Sequence, residues 1–109
     1  MRERKTESHL VAKTDEIPED EVKQVTIGEL TLAIYNVDGT FYATNDTCTH
    51  AFASLSDGYV EDGVIECPLH AARYEIATGK VVDLPATEDL NSYAVRVEGE
   101  DIYVEVPGS

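Results

Sequence analysis

CTHAFASLSDGYVEDGVIECPLH, residues 48–70, holds both cysteines of the chain and two of its three histidines. Cys48-Thr49-His50 is a two-residue step, and in an extended loop residues i and i+2 point the same way. Cys67-Pro68-Leu69-His70 is a three-residue step, the spacing of a tight turn. Pro68 has no backbone N–H to donate, so it suits that turn and not the centre of a strand. Residues 51–66 lie between the two pieces and contain Asp57-Gly58 and Asp62-Gly63. These turn signals let the chain leave the first loop, run out and back, and bring the second loop opposite. Each loop then offers one thiolate and one imidazole.

Outward from this stretch, the chain reads as short strands. EVKQVTI (21–27) alternates around Val22 and Val25 and turns at Gly28-Glu29. LTLAIYNV (30–37) follows, with Leu30, Leu32 and Ile34 on one side. Asp38-Gly39 is a strong hairpin signal, and TFYAT (40–44) pairs back. GYVEDGVIEC folds around Asp62-Gly63, and ARYEIATGKVV around Thr78-Gly79. SYAVRVE and DIYVEV flank Gly99-Glu100, with Val95, Val97, Ile102, Val104 and Val106 giving the β-branched pattern suited to a sheet. ATEDL (86–90) is the only helix-like stretch, one turn at most. Turn signals at this spacing predict an all-β protein, a small antiparallel β-sandwich or barrel. There is no internal repeat. The 109 residues are the size of one domain, so 1–109 is expected to fold as a unit.

Composition excludes several functions. The formal charge is −14, with 22 acidic against 8 basic residues. Phosphate backbones and anionic membranes both call for Lys and Arg clusters, so neither nucleic acid nor membrane is an expected partner. Such a charge keeps a protein soluble and speeds its approach to a basic protein face. The amino terminus is basic for a few residues, but no apolar segment of a signal peptide follows, and no run approaches the roughly 18 apolar residues of a membrane span. A cytoplasmic protein is expected, and two cysteines there are more often metal ligands or reactive thiols than a disulfide. Asp57, Asp62 and Asp83 read as turn residues rather than catalytic acids.

Four chemistries compete for Cys48, His50, Cys67 and His70. Core packing suits a single buried cysteine or histidine, as for the lone His9, and fits four residues in two matched loops poorly. A thiol nucleophile with a histidine base uses one pair and leaves the other unexplained. A structural zinc site of two Cys and two His usually groups like ligands, whereas each loop here mixes them. A Rieske [2Fe–2S] cluster carries two His on one iron in place of two Cys, so each loop would supply one ligand to each iron.

The pattern C-x-H, sixteen residues, C-x2-H resembles the signature of Rieske iron–sulfur proteins, with CTH and CPLH as its two ligand loops. FYATNDTCTH, EDGVIECPLH, TGK at 78–80 and LPAT at 84–87 are similar to soluble Rieske ferredoxins, above all the ferredoxin components of bacterial aromatic-ring-hydroxylating dioxygenases. The resemblance runs from about His9 to Val106. It implies a Rieske-like β-sandwich or barrel with two cluster-binding loops at one tip, and a cluster-binding subregion at about 45–86. It implies one [2Fe–2S] cluster, with Cys48 and Cys67 on the buried iron and His50 and His70 on the outer iron. Pro85, with Ala86, matches a loop that covers the cluster, and Tyr74 an aromatic ring packed near it. The implied partners are a NAD(P)H-dependent reductase, which supplies single electrons, and the terminal oxygenase that receives them; the ferredoxin is itself no enzyme. A monomer is the default for a carrier that visits both in turn. The acidic stretch 16–21 and Glu88-Asp89 are candidates for docking, and Phe52 for core or tip contact. A small Rieske subunit of another oxidoreductase, or a zinc-stabilised binding module on the same ligands, are the alternatives.

Departures from the family pattern bear on potential. Ala51 and Ala71 follow the ligand histidines where many relatives have Gly. The inter-loop disulfide of high-potential Rieske proteins falls on Ala53 and Leu69, and their cluster-bonding serine falls on Ala72. With neutral imidazoles, two ferric ions, two sulfides and two thiolates sum to no net charge, against minus two with four thiolates. Rieske potentials accordingly run at about −150 to +300 mV, above about −400 mV for plant-type ferredoxins. Without the serine and the disulfide, the low end of that range is expected.

Overall fold

The computed structural model describes residues 6–47, 53–68, 72–83 and 88–107. Among these residues eleven strands form three antiparallel sheets. β1 (Thr6–Lys13), β10 (Val95–Glu98) and β11 (Asp101–Pro107) make the first, in the order β1-β11-β10. β2 (Glu21–Ile27), β3 (Leu30–Val37), β4 (Thr40–Asn45) and β9 (Ser92–Tyr93) make the second, in that order. β5 (Tyr59–Glu61), β6 (Val64–Glu66), β7 (Arg73–Glu75) and β8 (Val81–Asp83) make the third as a meander.

β3 organises the molecule. Its sequence is a nearly unbroken apolar run because both of its faces are covered. Leu32 and Ile34 pack with Ala12, Ile17, Ala43, Ile102, Val104 and Val106 in one core. Ala33 and Tyr35, pointing the other way, pack with Leu55, Ile65, Cys67, Ala72, Tyr74, Ile76 and Leu90 in a second. The middle sheet is thus shared: one face buries the first sheet, the other buries the third.

The hairpins form where the Asp-Gly pairs predict them. Asp38 and Asp62 have φ of 54° and 53°, each followed by a glycine with positive φ. Positive φ at both central residues is the geometry whose twist matches the flanking strands. The two-residue loops leave Val37 opposite Thr40 and Glu61 opposite Val64.

Several elements differ from the sequence reading. β1 is a full strand along β11, with a bulge where the register slips between Leu10 and Ala12. ATEDL yields no helix over its described part, Glu88 to Leu90. The Leu90 N–H goes to the Gly79 carbonyl (2.7 Å) and the Asp89 carboxylate takes the Val81 N–H (2.9 Å), so these groups serve a neighbouring segment instead of a helical turn. Short 3-10 turns occur at Thr14–Glu16 and Leu55–Asp57. Asp83 ends β8 opposite Arg73 and is not a turn residue. No helix among the described residues is long and apolar enough to cross a membrane.

Candidate metal centre

The third sheet, with the end of β4, builds the bases of three loops. The first leaves β4 at Asn45 and returns at Ser54. Thr47 and Ser54 form an isolated antiparallel bridge across it. Below the bridge, the Leu55 N–H donates to the Asp46 carbonyl (2.6 Å) and the Ser56 N–H to Asp46 Oδ1 (2.9 Å). Asp46 is 1% exposed. A carboxylate so buried must be paired, and Gln24 Nε2 donates to its other oxygen at 2.7 Å. The Asp46 N–H reaches the Thr31 carbonyl (3.1 Å), tying this base to β3.

The second loop is the tip of the β6–β7 hairpin. One step beyond Glu66 and Arg73, the Cys67 N–H donates to the Ala72 carbonyl at 2.7 Å, so the hairpin's pairing runs on to the two residues that flank 68–71. Cys67 and Ala72 are fully buried, and Pro68 is exposed. The chain therefore turns its cysteine inward and its proline outward, as a loop must if sulfur is to bond inside while the tip faces solvent.

The third loop spans residues 84–87. Its flanks are joined by the bonds Val81 N–H to Asp89 Oδ1 and Leu90 N–H to Gly79 O. The approach needs glycine: a Cβ on Gly79, whose φ is 80°, would stand 2.5 Å from the Leu90 carbonyl oxygen.

The three bases meet in one core. Leu55 from the first, Cys67 and Ala72 from the second and Leu90 from the third all belong to the cluster around Tyr74 and Ile65. Tyr74 is fully buried in that core. Cys48, His50, His70 and Pro85 lie outside the described residues, as does Phe52. Each belongs to a loop whose base is fixed here. The residues present fit an iron–sulfur group: a cysteine buried in an apolar core, and sequence that adds a second thiolate at Cys48 and imidazoles at His50 and His70. Thiolate and imidazole are the ligand types of such clusters.

Asp46 was not singled out by sequence reasoning. Its string, TNDTCT, reads as polar loop, and its burial depends on Gln24 and Ser56, which are distant in sequence. His9, read as a lone histidine, stands half-buried on β1 at 3.3 Å from Glu7, far along the chain from the loops.

Comparison with known proteins agrees with this arrangement. Residues 7–94 match the family model of the Rieske [2Fe-2S] domain. The chain is 47% identical over 93 residues to the 3-phenylpropionate/cinnamic acid dioxygenase ferredoxin subunit of Escherichia coli K12, covering 84% of this chain and 87% of that protein. Among solved structures, a chain of the complex of reduced oxygenase and oxidized ferredoxin in carbazole 1,9a-dioxygenase superposes with a TM-score of 0.85 at 37% identity, over 89% of this chain and 91% of that one. The Sphingomonas yanoikuyae B1 ferredoxin does so with a TM-score of 0.85 at 31% identity, over 94% of this chain and all of that one. With loops, core and relatives in agreement, the chain belongs to the Rieske [2Fe–2S] domain family.

Proposed function

We propose that this protein is the ferredoxin of a multicomponent aromatic-ring dioxygenase, carrying single electrons from a NAD(P)H-dependent reductase to the terminal oxygenase. The convergence of the three loop bases on one core supports this reading, since the Cys-x-His and Cys-x2-His stretches of the sequence adjoin two of those bases. Cys48 and Cys67 would hold one iron and His50 and His70 the other. When bound, the cluster supplies one-electron chemistry at moderate potential.

The chain's own residues do the rest. The Cys67 N–H to Ala72 bond ties together the two ends of the second loop. The buried side chains of Leu55, Ile65, Tyr74 and Leu90 keep water from the inner side of the site. By the family resemblance, Pro85 would cover it from residues 84–87. The acidic surface draws the carrier to basic partner faces and speeds encounters that must also dissociate. The chain works as a monomer that meets two partners in turn, in the cytoplasm, where thiols stay reduced.

The test is an EPR-monitored redox titration of the purified protein. A rhombic signal in the reduced state, with a midpoint near the low end of the range at about −150 mV, is the expected result. Full metal content with no such signal would overturn the reading in favour of zinc. A midpoint well above zero would overturn the assignment to an oxygenase ferredoxin.

A further inference from the structure

We infer that Asp46 is the positioning residue of the first ligand loop, and that its carboxylate fixes where Cys48 and His50 stand. The inference rests on the reading of those two residues as ligands. Asp46 lies two positions before Cys48, at the point where the loop leaves β4. It uses three groups at once across the loop base. Its carbonyl accepts the Leu55 N–H (2.6 Å), Oδ1 accepts the Ser56 N–H (2.9 Å), and Oδ2 accepts from Gln24 on β2 (2.7 Å). The outgoing and returning arms are thereby locked together and to the middle sheet.

The returning arm then reaches the second loop. Through the turn Leu55–Asp57 it arrives at Gly58, whose backbone packs against the carbonyl of Glu66, the residue before Cys67. Asp46 thus sits at one end of a continuous backbone strut whose other end is Cys67. Among the described residues of this strut Asp46 is the one buried carboxylate, and both its oxygens are used. Groups that orient metal ligands without touching the metal are worth roughly 10–100-fold in metal affinity.

The experiment measures iron release from the loaded protein to a chelator, with the EPR signal of the reduced protein recorded alongside. Asp46→Ala is compared with Asn36→Ala. Asn36 is also buried and also makes two side-chain bonds, to the Ile17 carbonyl (2.7 Å) and from the Gly39 N–H (2.8 Å), but it belongs to the far end of β3. Asp46→Asn keeps an acceptor for Ser56. Expected are iron release roughly tenfold or more faster in Asp46→Ala than in Asn36→Ala, an altered EPR line shape in Asp46→Ala alone, and restoration of both by Asp46→Asn. Equal release from the two alanine variants, with an unchanged EPR line shape, overturns the inference. If Asp46→Ala yields no folded protein, Gln24→Ala takes its place: faster release than Asn36→Ala supports the inference, and equal release overturns it. Cys48→Ser is loaded in parallel. A full cluster in that variant overturns the ligand reading itself, an outcome separate from any result at Asp46.

Discussion

Gly58 lies so close to Glu66 that a Cβ on the glycine would stand 2.1 Å from the glutamate's carbonyl oxygen. The obstacle is backbone, held by the pairing of Tyr59 with Glu66, so no side-chain rotation relieves it. Gly58→Ala must therefore push the returning arm of the first loop away from β6. Overpacking of this kind costs about 3 kcal/mol. Gly63, in the β5–β6 hairpin, has open space around its Cβ position and only a positive φ, 76°, to lose. Gly63→Ala is expected to cost about 1 kcal/mol. Urea unfolding of both variants checks the order, and Gly58→Ala should also bind less iron per chain. Equal losses in the two would show that the strut between the loops has slack.

The buried methyl of Ala72 offers a second test. Ala72 is fully buried in the same cluster as Cys67, and its carbonyl takes the Cys67 N–H. A hydroxyl placed there has one donor to satisfy, and sulfur at the loop rim is the acceptor on offer. A bond of about 1 kcal/mol that strengthens on reduction raises a one-electron midpoint by about 40 mV. Ala72→Ser is expected to move the midpoint upward by that order, with the loaded protein's melting temperature kept. An unmoved midpoint with a loss of about 1–3 kcal/mol in stability would mean that the hydroxyl is buried without a partner.

The net charge of −14 makes the third prediction one of rate. Exposed charges act over a Debye length, about 10 Å at 0.1 M salt. Electron delivery to the oxygenase should slow by roughly tenfold or more as salt rises from low to high, since steering can be worth that much. Stopped-flow reoxidation against ionic strength measures it. A flat profile would leave the acids as a solubility device. Asp89 already has a local duty, because it accepts the Val81 N–H; Asp89→Asn should keep that bond and lose only any steering.

What the sequence made legible follows from how local each cause is. The hairpin at Asp62-Gly63 could be read because its geometry depends on two adjacent residues that tolerate positive φ. β3 could be read because burial on both faces leaves an apolar run. β1 was missed because its bulge breaks the alternation: Leu10 points out and is 54% exposed, whereas Ala12 is buried two positions on. The paired Cys and His spacings were legible because ligands must come in close sets. Asp46 was not, because its role is created by Gln24, 22 residues away, and Ser56, ten residues away. ATEDL had the composition of a helical turn, but Asp89 and Leu90 bond across to Val81 and Gly79, which no local pattern announces.

The fourth prediction concerns alkaline stability. Tyr35 is fully buried, and its hydroxyl lies 2.7 Å from Thr44 Oγ1. Thr44 spends its one hydroxyl proton on the Asn45 carbonyl (2.8 Å), so Tyr35 donates to Thr44. Burial holds the Tyr35 ionisation well above the ordinary tyrosine range; the bond to Thr44 lowers it in part, and the nearby Asp46 charge raises it. A group whose folded pKa is raised contributes stability that is complete below its unfolded pKa, about 10, and lost as pH climbs above that value. The loss is about 1.4 kcal/mol per pH unit until the folded group also ionises. Tyr35→Phe removes the hydrogen bond, at about 1 kcal/mol near neutrality, and removes this titration with it. The variant should therefore be the less stable protein at pH 8 and close the gap above about pH 10, since the other five tyrosines are common to both. Urea unfolding of the two proteins across that range decides it. A gap that stays constant above pH 10 would mean that Tyr35 ionises as easily in the folded chain as in the unfolded one.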